Sequence, residues 1–78
     1  MIKAKLSKGA LVAYYRGIAL ASIPVDPSIA TRALDALRDR LRHCGITGDD
    51  ALAWAARRRI AAGAVKEAVK DARKGGAA

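Results

Sequence analysis

The sequence predicts an all-α fold, a small domain of three helices at about residues 8–22, 27–44 and 48–73. Three observations predict it. Apolar residues recur at spacings of three and four through most of the chain, the period of one helix face. Asp26-Pro27 and Gly45 stand where a helix start and a helix stop belong. The run Ala51-Leu-Ala-Trp-Ala-Ala56 is apolar all the way round, as a buried helix turn would be.

Residues 1–9 alternate apolar and basic. The pattern suits a strand with no evident partner, a basic arm over residues 1–7, or a helical lead-in with Ile2 and Leu6 four apart. From Ala10 to Ile23 the reading is helical: Leu11, Tyr14 and Tyr15, Ile18, and Ala21 and Ser22 form the inward stripe, and Pro24 stops it. Gly17 inside that helix costs about 1 kcal/mol against Ala and marks a close helix crossing. The stretch also imitates a secretory signal, with three Lys, an apolar run and Ala19-Leu20-Ala21. Arg16 interrupts the apolar run, so neither a signal nor a membrane span is expected.

Asp26 is a good N-cap, and Pro27 at the first helical position has no N–H to waste. Ala30, Leu34, Leu37, Leu41 and Cys44 then line one face. Arg32, Asp35, Arg38, Asp39 and Arg42 take the other, with Asp35/Arg38 and Asp39/Arg42 near enough for weak pairing. Gly45 should end the helix in the left-handed conformation, with Ile46 folding back on Leu41. Thr47 to Asp50 has the spacing of a capping box that opens the third helix. Trp54, the largest side chain, is expected at the centre of a core that also holds Leu11, Tyr15, Ile18, Leu34, Leu37, Leu41, Ile46, Leu52 and Val65.

Beyond Arg57-Arg58-Arg59 the third helix is amphipathic. Arg59, Lys66, Lys70 and Arg73 fall in a narrow sector, with Ala61, Val65, Ala68 and Ala72 opposite. From Asp49 to Arg73 it would be about 37 Å long, against a radius of gyration of about 11–12 Å for a compact chain of this size. It therefore either breaks near Gly63 or projects past the body. The tail, residues 75–78, reads as a frayed end.

Seventy-eight residues make one small domain, of a size at which a single core stabilises only marginally. Apolar content is 53%, but much of it is Ala, which buries little area per residue; dimerisation is therefore an expectation. The single Cys excludes an intramolecular disulfide and fits a reducing, cytoplasmic setting. Net charge is +8, divided as +4, −1 and +5 over residues 1–25, 26–50 and 51–78. Basic flanks around a near-neutral centre point to a polyanionic or acidic partner.

Little chemistry is available. His43 and Cys44 are adjacent on a helix and point about 100° apart, so they make no metal pair. Asp49 and Asp50 are helix-start acids. No phosphate loop, zinc spacing or nucleophile–base set is present, so neither cofactor nor metal nor enzymatic activity is expected. The order helix, Gly45-Ile46-Thr47, helix resembles a helix-turn-helix across about twenty residues, with Cys44, Ile46, Ala51 and Trp54 at apolar positions. Its second helix opens with Asp49-Asp50, however, which would bring carboxylates toward phosphates. Backbone binding survives that objection: Arg57, Arg58, Arg59, Lys66, Lys70, Arg73 and Lys74 form the expected ridge, helped by Lys3, Lys5 and Lys8. The competing class is a protein-interaction module, an inhibitor or adaptor of the kind phages and mobile elements encode, docking on an acidic protein surface.

Overall fold

Two residue pairs decide the first third of the chain. Lys8-Gly9 has φ angles of 50° and 79°, and Arg16-Gly17 has 52° and 77°. Two successive positive φ angles make the type I′ loop, whose twist matches that of the flanking strands. In the computed structural model, which describes residues 1–76, these loops join β1 (Lys3–Ser7), β2 (Ala10–Tyr15) and β3 (Ile18–Pro24) into an antiparallel sheet of order β1-β2-β3. A 3₁₀ turn at Pro27–Ile29, α1 (Ala30–Leu41) and α2 (Ala51–Gly76) come after it. The all-α, three-helix reading is thus overturned: the fold is mixed, one sheet with two helices. The residues given to an N-terminal helix are two strands, and those read as an arm include the first.

Register separates two faces. Ala4 opposes Ala13 and Leu6 opposes Leu11, while Leu11 opposes Ile23 and Ala13 opposes Ala21. Apart from Leu6, which is 40% exposed, these side chains lie in or against the core shared with the helices. Lys3 opposite Tyr14, and Lys5 opposite Val12 opposite Ser22, occupy the face without helices, where Val12 is nonetheless buried. Leu20 is the extra residue of a bulge, because Ala13 pairs with Ala21 and Tyr14 with Ala19. Both helices cover the same side of the sheet. The core combines Ile2, Leu11 and Ala13 of the sheet side with Ala33, Leu37 and Leu41 of α1 and Ala61, Val65, Ala68 and Ala72 of α2. Fully buried Ala33, Ala61 and Ala68 let the layers approach closely.

The start of the second helical segment is as expected. Asp26 Oδ1 accepts from Ser28 N at 2.9 Å, and Pro27 opens the turn. That backbone hydrogen bond, and a second from the Ser28 side chain, hold the Asp26 carboxyl below the ordinary carboxylate range. The end differs. α1 stops at Leu41, and the chain tightens into i→i+3 bonds from Arg42 N to Asp39 O and from Cys44 N to Leu41 O. Gly48, with φ 96°, takes the left-handed conformation expected of Gly45. Asp50, not Thr47, caps α2: its Oδ1 accepts from Ala53 N at 2.8 Å. Residues 42–50 are therefore a long connection rather than a tight turn, and the helix-turn-helix pairing is not formed. Arg40 instead reaches the far half of α2, where its Nε donates to Asp71 at 3.1 Å.

α2 runs unbroken through Gly63. At about 1.5 Å per residue it is about 39 Å long, and the molecule's longest dimension is 41 Å. It does not break, and Ala53 and Ala72 near its two ends are buried, so the other elements pack along most of its length. Its backbone stays helical to Gly76, so the tail read as frayed is helical at Gly75 and Gly76; Ala77 and Ala78 lie outside the described residues. Of the expected core, Leu11, Leu37, Leu41 and Val65 are buried, and Tyr15 and Leu34 pack at its edge. Trp54 is only half-buried and Ile46 no better covered. Ile18 is 52% exposed, and Leu52, on the outward side of the first turn of α2, is 81% exposed.

Two glycines should respond oppositely to alanine. Gly17→Ala places a Cβ at φ 77° and is expected to cost about 1–2 kcal/mol. Gly63→Ala, in open space on a helix, is expected to gain about 0.5–1 kcal/mol. Urea melts of the two variants check both signs.

Candidate nucleic-acid interface

Three successive residues of a helix sweep about 200°, so Arg57, Arg58 and Arg59 cannot share one face. Arg59 points outward and Arg58 lies exposed to one side. Arg57 points inward and is 1% exposed. Its guanidinium lies 4.1 Å from the Tyr15 ring centroid and 5.3 Å from that of Trp54. The two rings meet edge to face at 5.4 Å. Arg57 Nη2 donates to the Gly48 carbonyl at 2.6 Å and to Ile46 O at 3.2 Å, with the Tyr15 hydroxyl 3.5 Å away. Nη1 is buried without a partner. Arg57 therefore leaves the expected ridge: it is an internal clamp holding the α1–α2 connection and β2 onto α2. Residue type does not mark it out from its two neighbours; its place at helical spacing in the series Ala53, Arg57, Ala61, Val65 and Ala68, all buried, does.

The rest of the ridge is brought together. Arg59, Lys66, Lys70, Arg73 and Lys74 are all exposed on α2. From Arg59 to Lys74 they span about 22 Å of helix. Among the described residues none of the five lies within 4.0 Å of a carboxylate; the ion pairs fall elsewhere, at Arg16–Asp49, Arg38–Asp35, Arg40–Asp71 and Arg42–Asp39. Asp71, which stands between Lys70 and Arg73 in sequence, is turned to Arg40.

Lys3, Lys5 and Lys8 do not join the ridge. Lys3 and Lys5 stand on the open face of the sheet, with Lys5 Nζ 4.8 Å from the Tyr14 ring centroid, and Lys8 sits in the first hairpin loop. None of the three stands on α2, so they are not part of its row of cations. Arg38 and Arg42, assigned by the sequence to solvated pairs with Asp35 and Asp39, do make those pairs, at 3.9 and 3.2 Å. They also line a cleft with Lys3 and Tyr14, a neighbourhood only the sheet can create.

Among the described residues no three His, Cys, Asp or Glu side chains gather as a metal site, and no helix is long and apolar enough to cross a membrane. The chain matches no protein-family model, no curated protein and no solved structure.

Proposed function

We propose that this is a non-enzymatic, cytoplasmic regulatory protein that binds a nucleic-acid backbone with little sequence preference, using the outer face of α2. The supporting observation is the row Arg59, Lys66, Lys70, Arg73 and Lys74: five exposed cations on one continuous helix, none within 4.0 Å of a carboxylate among the described residues, with Arg73 still near enough to Asp26 to help hold its carboxyl down. A straight helix face with flexible basic side chains suits phosphates and offers nothing rigid for reading base edges. Five phosphate contacts give a log–log salt slope of about −4.5, or a fall of roughly 500-fold in affinity from 50 to 200 mM salt. Anisotropy titration of a labelled generic duplex measures this. Absence of binding at 50 mM would end the reading.

One observation favours a second reading, a protein-docking inhibitor or adaptor that is itself dimeric or binds a host protein. Leu52 is 81% exposed near the start of the same helix, with Ile60 41% exposed two turns on. Such a partner would bind with little salt dependence, so the same titration separates the two classes.

A further inference from the structure

A cleft of about 370 Å³ opens where β1 meets the C-terminal half of α1. Lys3, Arg38 and Arg42 form its cationic wall and Tyr14 its aromatic one, over a floor that backs onto buried Ile2 and Leu41. A second hollow of about 290 Å³ adjoins it, shares Lys3 and Tyr14, and adds Tyr15 and Arg16. No carboxylate lines either hollow. Asp35, Asp39 and Asp49 hold the three arginines through exposed pairs, which are weak enough for an anion to displace.

We propose that this double hollow is a subsite for single-stranded nucleic acid, with a base stacked on Tyr14 and the adjoining phosphates held by Lys3, Arg38 and Arg42. The chemistry selects the ligand. A free inorganic anion would use the cations and leave Tyr14 idle. A duplex presents phosphates but keeps its base faces stacked away. A single strand offers a flat apolar face and a phosphate at each step, the combination of aromatic platform and positive groove that such strands bind. Two neighbouring chambers sharing one aromatic suit two successive nucleotides. Lys5, outside both hollows, lies over the Tyr14 ring and adds positive potential beside it. The subsite rests on the nucleic-acid reading above but not on its residues, since none of the ridge cations lines either hollow.

The experiment is anisotropy titration of the full chain with a labelled thymidine decamer, with a duplex and a poly-glutamate of similar charge in parallel. Tyr14→Leu is expected to weaken decamer binding roughly tenfold to a hundredfold, as loss of one stacked base would. Tyr14→Phe should bind like the parent. Lys3→Ala with Arg42→Ala, both at exposed sites that leave the core intact, should flatten the decamer's salt slope by about 1.4. Lys66→Ala with Lys70→Ala should leave the effect of Tyr14→Leu in place. The proposal is overturned if the cleft variants bind the decamer like the parent, or if poly-glutamate binds as tightly as the decamer. Decamer binding abolished only in cleft variants, with no duplex binding, would sink the ridge and sustain the cleft. Duplex binding abolished only in ridge variants, with the decamer indifferent to Tyr14, would do the reverse.

Discussion

Arg57→Ala is expected to destabilise the protein by about 3 kcal/mol or more. Truncation removes the charged donor serving the Gly48 and Ile46 carbonyls, and it empties the slot beside Tyr15 and Trp54. A domain of this size is held by only about 4–12 kcal/mol. At roughly 4–8 °C per kcal/mol, the melting temperature should fall by about 12–24 °C. Arg57→Lys should fall between: an ammonium can reach one carbonyl but cannot lie flat against Tyr15. Arg58→Ala and Arg59→Ala, at exposed positions, should stay within about 0.5 kcal/mol of the parent. Thermal melts followed by circular dichroism decide it. An Arg57→Ala variant melting within a few degrees of the parent would mean the clamp holds nothing. Replacing all three arginines together is therefore a poor test of binding, since it removes a fold element along with two surface charges.

The clean test of the ridge is Lys66→Ala, Lys70→Ala and Arg73→Ala combined. All three are exposed, and alanine is the best helix former, so the fold should be kept. Removing one cation from a phosphate reduces the duplex salt slope by about 0.9, so removing three brings it from about −4.5 to about −1.8. The fall in affinity between 50 and 200 mM salt should shrink from roughly 500-fold to roughly 12-fold. A variant that keeps the parent's slope would place the phosphates elsewhere on the surface.

The two helices of the second half were legible because their signals are local, although the connection between them was not: Gly48 takes the conformation expected of Gly45, and Asp50 the capping role expected of Thr47. Asp26-Pro27 has one good structural use, and Leu37, Leu41, Val65, Ala68 and Ala72 repeat at helical spacing and are buried. The first half was not, for a physical reason. Leu11, Tyr15 and Ile18 satisfy a helical period, yet Leu11, Ala13 and Tyr15 equally alternate along one strand face. The bulge at Leu20 shifts the later alternation, so the period of two is never seen whole. The deciding residues were Gly9 and Gly17, each behind a basic residue rather than the usual Asn or Asp of a type I′ loop. The ridge was readable from helical angles alone, and the same angles argue against Arg57 sharing it with Arg59. The cleft was not readable, because Lys3 and Tyr14 meet Arg38 and Arg42 only once the sheet has formed.

The sheet leaves β1 and β3 as its two edges, and they guard against unwanted strand addition by different means. β1 carries Lys3 and Lys5, whose like charges would repel the same edge of another copy. β3, from Ile18 to Pro24, has no charged residue; the bulge at Leu20 and the missing N–H of Pro24 interrupt it instead. One guard is electrostatic and reaches about 10 Å at 0.1 M salt but only about 3 Å at 1 M. The other is steric and does not fade. Concentrated salt should thus disarm the β1 edge alone, and any self-association it provokes should begin there.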